Sequence, residues 1–199
     1  ISELTHNISA NQEFCLTLGG DHSIALGSIH GLLKTHPQLG VIWVDAHGDI
    51  NTPESSVSGL FHGMPVAALL GRLRQHKAFS WMTKRLLPSK IVYIGVRDLD
   101  PAESELIQEL NIECFTMEDV QHLGIHRVID LAIQHLFKNG KIPLHLSFDL
   151  DAMDPNYAPC TGIPVANGLL PFEIEQICNT LSNTGQLIGL DVVEFNPLQ

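Results

Sequence analysis

Apolar positions along the chain fall into short continuous runs separated by stretches in which they recur every three or four residues. Six of the runs have the length and β-branched content of strands: Cys15–Leu18, Val41–Val44, Ile91–Gly95, Ile112–Phe115, Leu144–Asp149 and Leu187–Val193. Between them the pattern predicts helices over Ser23–Lys34, Met64–His76, Pro101–Leu110, Ile125–Phe137 and Phe172–Asn183. The fourth of these is the clearest. Ile125, Val128, Ile129, Ala132, Ile133, Leu136 and Phe137 make one stripe at helical spacing, and Gly140 lies just beyond as a stop. Strands alternating with helices in this way predict an α/β fold of βα units around a mostly parallel sheet. One irregular segment interrupts the alternation, Asp154–Pro171, with four prolines and two glycines. Ordered loops of that length inside a domain are usually functional.

In an open sheet of this class, ligands bind at the carboxyl ends of the strands, where loops and helix N-termini converge. The polar residues of the chain gather at those ends. Gly19-Gly20-Asp21-His22 follows the first strand, Asp45-Ala46-His47-Gly48-Asp49 the second, Arg97-Asp98-Leu99-Asp100 the third, Asp149-Leu150-Asp151 the fifth and Glu194 the sixth. Residues two apart in extended backbone share a face, so Asp45, His47 and Asp49 can converge on one point, as can Asp149 and Asp151. Such a crowd of buried acids needs something positive to hold it. With His22 the set comprises four carboxylates and two imidazoles. That is too many for one tetrahedral zinc and suits two ions sharing carboxylates. The oxygen-rich donor set favours manganese, with iron, cobalt or zinc as chemical alternatives.

A lone D-x-H or D-x-D at a strand end is commonly a helix cap or a turn; three such pieces behind three hydrophobic strands ask for more. Asp100 and Glu103 do have a second explanation, because D-P-A-E is a capping box with proline at the first helical position. Glu194 has no local partner in the sequence, which points to a substrate or a basic group. His62, in the Ser58–Gly63 loop just after the Asp49 segment, is a candidate proton shuttle, since imidazole ordinarily titrates near neutrality. The remaining histidines carry no such context and read as surface or satisfied core residues.

Composition narrows the partners. The 199 residues, 44% of them apolar, suffice for one domain with a substantial core. The net charge of −11, from 22 acids against 11 Lys and Arg, leaves no basic stripe for nucleic acid and favours cations. No apolar run approaches the roughly 18 residues of a membrane span. The absence of a charged-then-apolar leader leads us to expect a soluble protein. Four scattered cysteines without C-x-x-C spacing argue for a reducing compartment and against a thiolate metal site.

The motifs GGDHS (Gly19–Ser23), VDAHGDIN (Val44–Asn51), the S-G-x-x-H-G-x-P stretch from Ser58 to Pro65, SFDLDAMDP (Ser147–Pro155) and LDVVEFNP (Leu190–Pro197) together resemble the ureohydrolases, the arginase and agmatinase group, over essentially the whole chain. The resemblance implies a three-layer αβα fold with a mostly parallel central sheet, forming one catalytic domain over residues 1–199. It also implies two Mn2+ per chain on His22, Asp45, His47, Asp49, Asp149 and Asp151. A metal-bridging hydroxide would attack the guanidinium carbon; Asp49 would pass a proton to the leaving amine, His62 would exchange protons with solvent and Glu194 would orient the guanidinium. Within the family the arginase branch fits best, with Asn51 and Ser58 matching groups that bind the substrate α-carboxylate, and Asp100 and Glu103 matching those that read its α-amino group. The implied reaction is hydrolysis of L-arginine to urea and L-ornithine. The alternatives are an agmatinase or other guanidino-acid ureohydrolase, or a non-catalytic metal-stabilised homologue.

Two positions depart from the arginase pattern. Leu60 stands where an asparagine is typical and Ile163 where a threonine is typical, each removing a hydrogen bond of about 0.5–1.5 kcal/mol. Family chains are also longer, so the expected domain is incomplete at both ends, with the six strands neighbouring one another and the missing ones at one edge. By the same resemblance the protein is expected to be a trimer or hexamer, in the cytoplasm or mitochondrion.

Overall fold

The computed structural model describes residues 1–198. It contains one sheet of six strands, β1 (Cys15–Leu18), β2 (Gly40–Val44), β3 (Ile91–Val96), β4 (Glu113–Thr116), β5 (Leu144–Asp149) and β6 (Leu187–Val193). Their spatial order is β1-β6-β5-β2-β3-β4, and every neighbouring pair is parallel. The helices are α1 (Ser2–Ala10), α2 (Ala25–Thr35), α3 (Pro65–Leu69), α4 (Pro101–Glu109), α5 (Met117–Leu123), α6 (Ile125–Leu136) and α7 (Pro171–Asn183).

Alternation along the central strands divides the core into two layers. Val41 and Trp43 of β2, with Ile91 and Tyr93 of β3, pack towards α2, α3 and α4. Ile42, Val44, Val92 and Ile94 point the other way, against α5, α6 and α7. Every residue of β2, β3 and β5 is buried. A strand covered on both faces has no polar side to show, which is why VIWV reads as a continuous apolar run. The sheet is thus the middle of three layers, as expected. At one edge, β1 leaves Leu16 and Leu18 exposed.

Strand order fixes where a site can form. From β2 the chain steps outward to β3 and β4, whereas from β5 it steps the opposite way to β6. The loops leaving the carboxyl ends of β2 and β5 therefore diverge and open a crevice between them. Asp45 follows β2 directly, and Asp149 ends β5.

Three features differ from the sequence expectation. The helix expected over Met64–His76 stops at Leu69, because Gly71, at φ +84°, takes the left-handed turn. There Gly71 N–H donates to Ala68 O and Arg72 N–H to Ala67 O, the paired bonds of a Schellman stop. Helix α5 was absent from the pattern reading because it has only seven residues, although Thr116 and Asp119 cap it reciprocally. Helix α1 was absent because the residues it buries are Thr5 and Ser9, which leave no apolar stripe. Cys15, Cys114 and Cys178 are free thiols.

Helix α1 lies against α2 so closely that a Cβ on Gly31 would sit 2.5 Å from Ser2 O and 2.9 Å from His6 N. Both atoms are backbone and cannot step aside without moving the helix. Gly31→Ala is therefore expected to lower stability by about 1–3 kcal/mol, as overpacking does. Urea unfolding measures this; an unchanged midpoint would mean that α1 does not pack as described.

Candidate active site

The carboxyl ends of β1, β2, β3, β5 and β6, with two loops, supply the site. At the centre lies Asp45, with no solvent exposure. Its Oδ2 accepts from Trp43 Nε1 at 2.9 Å and lies 3.1 Å from His22 Nδ1, while Oδ1 accepts from His47 N at 2.7 Å. The first turn after β1 carries His22 across the end of β6, fixed there by Gly19 N donating to Val192 O and Glu194 N to Gly20 O. Its ring stacks on Trp43 with centroids 4.1 Å apart and planes 11° from parallel.

Around His22 Nδ1 stand three carboxylate oxygens, from Asp45 at 3.1 Å, Asp49 at 3.1 Å and Asp149 at 3.0 Å. None has hydrogen-bond alignment with that nitrogen, which is buried. A single N–H cannot serve three acceptors in any case. On the opposite side of Asp45, His47 Nδ1 is 3.0 Å from Asp151 Oδ2 and 3.5 Å from Asp45 Oδ1. Two groups of donors result, His22 with Asp45 and Asp149, and Asp45 with His47 and Asp151, each gathered within 4.8 Å. They share Asp45, which offers one oxygen to each side.

This arrangement fits a pair of cations. Ser147 Oγ lies 2.9 Å from His22 Nε2; with Nε2 donating to that hydroxyl, Nδ1 turns a lone pair towards the carboxylates. The remaining carboxylate oxygens are held by backbone: Asp151 Oδ1 accepts from Ala46 N at 3.1 Å, and Asp149 Oδ1 from Asp151 N at 2.8 Å. Without a cation, protons must do the neutralising. Burial and the neighbouring Asp45 push the Asp49 carboxyl up to about 8, and the same two causes raise Asp149 and Asp151. Burial opposes charge on His47, but Asp151 and Asp45 outweigh it and push the imidazole up to about 11. His22 is likewise raised, its three carboxylate neighbours overcoming burial. Asp45 is lowered in spite of burial, by His22 and then His47.

Above the clusters opens a cleft of about 220 Å³, smaller than the ~300–1,000 Å³ of pockets for drug-sized ligands and so suited to a small solute. His47, Asp49, Asn51, Ser58, His62, Asp100, Glu103, Asp149, Asp151 and Glu194 all line it, while His22 and Asp45 are buried against the lining carboxylates. On one wall Asn51 Nδ2 donates to Asp100 Oδ2 at 2.8 Å. The Glu103 carboxylate faces the same cleft while accepting from Ile50 N at 3.2 Å and Asp100 N at 3.0 Å, so it also ties the Asp49 loop to α4. On the opposite wall Glu194 Oε1 accepts from His22 N at 2.7 Å and lies 3.6 Å from His62 Nδ1. Asp49 and Glu194 both adopt left-handed backbone, at φ 50° and 57°, a conformation that non-glycine residues hold only under constraint. Ile163 lines the cleft; Leu60 is exposed and stands outside its lining.

Several residues position the site in ways the sequence does not reveal. Arg97 spreads its guanidinium over backbone carbonyls, including Asp151 O at 2.7 Å, Val165 O at 2.7 Å and Ala166 O at 3.0 Å, and so clips the Asp154–Pro171 loop to the Asp151 turn. Asp154 closes the same loop by accepting from Asn167 N at 2.8 Å. Tyr93 donates to Gly48 O at 2.5 Å, holding the turn between His47 and Asp49. His145, read as an ordinary core histidine, meets Asp191 at 3.0 Å deep in the sheet, and Ser28 bonds to the same carboxylate. None of these partners is near in sequence, so only the fold reveals them.

The metal-free chain has a definite pH signature. Asp49 and His47 hold protons in the folded state at pH values where the unfolded chain has released them. Their contributions are therefore lost as pH rises, Asp49 between 3.8 and about 8 and His47 between 6.5 and about 11. The lowered Asp45 acts in the opposite sense only below 3.8, outside this window. With chelator present, the melting temperature is expected to fall from pH 5 to pH 9, and added manganese to reverse the trend because deprotonated ligands bind it better. A melting temperature that rises with pH in chelator would contradict these assignments.

A family model described as the arginase family matches residues 1–199. The chain is 46% identical to arginase-1 of Homo sapiens over 194 residues, 96% of this chain and 60% of that protein. It superposes on the arginase of Bacillus caldovelox with a TM-score of 0.92 at 40% identity, covering 99% of this chain and 66% of that one. Similarity extends to the proclavaminate amidino hydrolase of Streptomyces clavuligerus, with a TM-score of 0.71 at 28% identity over 92% of this chain and 55% of that one. The chain thus spans about three fifths of the length of the curated relatives it matches. Its sheet order, its clustered acids and imidazoles and these likenesses agree, and the chain belongs to the arginase family.

Proposed function

We propose that the chain carries the catalytic centre of a manganese-dependent hydrolase that cleaves the guanidino group of L-arginine to urea and L-ornithine. The observation that carries this reading is the sharing of Asp45 between two metal-capable clusters whose His47, Asp149 and Asp151 line a small cleft. Asp45, His22, Asp49 and Asp149 would hold one cation, and Asp45, His47 and Asp151 the other. When bound, the pair supplies Lewis acidity that lowers the pKa of a coordinated water towards neutrality.

The chain's own residues account for the remaining steps. Glu194, anchored by His22 N–H, presents a carboxylate to the planar guanidinium, a geometry that favours paired hydrogen bonds. Asn51 and Ser58 serve the α-carboxylate, and Asp100 with Glu103 the α-amino group. As the water oxygen bonds to the guanidinium carbon, Asp49 takes up the proton and passes it to the departing amine nitrogen as the carbon–nitrogen bond breaks. His62, half-buried at the cleft mouth, exchanges the balancing proton with solvent.

Ile163 supports a second reading within the same chemistry. An apolar side chain lines the cleft beside Gly162, whose position approaches Glu194 Oε2, and this favours a guanidino substrate other than L-arginine. Urea release from L-arginine, agmatine and guanidinobutyrate by the manganese-loaded chain separates the readings. L-Arginine is expected to give the highest kcat/KM. A preference for either other compound would favour the second reading, and no urea from any of them with two metals bound would leave a non-catalytic homologue.

His62→Asn is expected to retain both metals while slowing turnover by about 10- to 10,000-fold, the range over which positioned proton transfer contributes. Small imidazole buffers should recover part of the loss. A pH–rate profile unchanged from the parent would rule His62 out as the shuttle.

A further inference from the structure

Apart from the paired clusters, one more set of metal-capable side chains meets among the described residues. Ligand atoms of Asp21, His62 and Glu194 lie within 4.8 Å of one another. They come from three separate segments: the turn after β1, the Phe61–Gly63 turn and the end of β6. Two of the three are held in place by backbone, with Asp21 Oδ1 accepting from Ser23 N at 2.9 Å and Glu194 Oε1 from His22 N at 2.7 Å. Among the described residues no Lys or Arg pairs with either carboxylate. The Lys and Arg ion pairs among the described residues, Lys34–Glu3 and Arg72–Glu109, lie elsewhere. Two carboxylates thus face one imidazole at the exposed rim of the cleft.

We propose that Asp21, His62 and Glu194 form a third divalent-cation site, separate from the paired cage, and that a zinc-class ion seated there inhibits the enzyme. One imidazole nitrogen and two carboxylate oxygens make a three-ligand zinc site with a position left for water. Mixed nitrogen and oxygen donors bind Zn2+ more tightly than Mn2+. Zinc therefore fills the rim at concentrations at which manganese leaves it empty. Inhibition follows from shared atoms. The carboxylate of Glu194 cannot serve both a cation and a guanidinium, and a His62 nitrogen that ligates zinc cannot carry a proton. Only this inhibitory half rests on the proposed function; the site itself does not.

The test uses the full chain loaded with manganese and dialysed against zinc chloride. Metal analysis is expected to find two manganese ions and one zinc per chain, with zinc-edge anomalous diffraction placing the zinc about 2.0–2.2 Å from its His62, Asp21 and Glu194 ligands. Zinc inhibition is expected to be competitive with the guanidino substrate. Asp21 lies outside the catalytic set, and asparagine still caps the turn. Asp21→Asn should therefore leave manganese-supported turnover unchanged while raising the zinc concentration for half-inhibition about 10-fold or more, as expected for loss of a metal-site partner. Asp21→Ser, which also caps but offers no carboxylate, should behave in the same way. Zinc that enters only by displacing manganese, or a half-inhibition point unmoved by both substitutions, would overturn the proposal. Were the manganese-loaded chain to release no urea, the hydrolase reading would fall, while the zinc count and its loss in Asp21→Asn would still decide whether the third site exists.

Discussion

A carboxylate with no access to water must be neutralised from within the protein, and Asp45 sits in that position at the end of a strand whose every residue is buried. It is held from below by the Trp43 indole and from the side by the His47 amide, and it faces an imidazole on each flank. Taking such a group out of water is costly unless charge and hydrogen bonds compensate it. The surrounding acids deepen the problem rather than relieve it, since Asp45 is among the causes that raise Asp49, Asp149 and Asp151. Two positive ions held on either side of Asp45 would resolve the conflict, and the rest of the site keeps this crowd of side chains together.

The apparatus is mostly backbone chemistry. Strand order places β2 and β5 side by side where their connections part, so that the acids of both arrive at one crevice. Arg97 then spans Asp151 and the long proline-rich loop through their carbonyls, and Glu103 pins the Asp49 loop to α4. Asp49 and Glu194 stand in left-handed backbone, with Asp49 O accepting from Val66 N and Glu194 N donating to Gly20 O. Two of the five non-glycine residues with positive φ among the described residues are thus site carboxylates, consistent with a preorganised centre. The same preorganisation anchors Glu194 through the oxygen that also faces His62, in the corner where Asp21 arrives.

Much of this was legible in the sequence because it depends on period and position. Buried parallel strands must be apolar on both faces, so VIWV and its counterparts stood out, and alternation beyond them fixed which acids could converge. What escaped had no local signal. Helix α1 buries Thr5 and Ser9 in place of an apolar stripe, and its fit depends on Gly31 of another helix. The carbonyls gathered by Arg97 lie more than fifty residues away for the most part, and Ser147 reaches His22 across 125 residues. Gly71 was visible as a residue, but its role as the stop of α3 depended on a backbone angle that no pattern of apolar residues encodes. Of the two departures from the arginase pattern, Leu60 is exposed and stands outside the cleft lining, whereas Ile163 is part of it.

The sharing of Asp45 is open to direct observation by diffraction from crystals of the manganese-loaded chain at the manganese absorption edge. The account predicts two anomalous peaks flanking the Asp45 carboxylate, one in reach of His22 and Asp149 and the other in reach of His47 and Asp151. A single peak, or two peaks that do not have Asp45 between them, would contradict it.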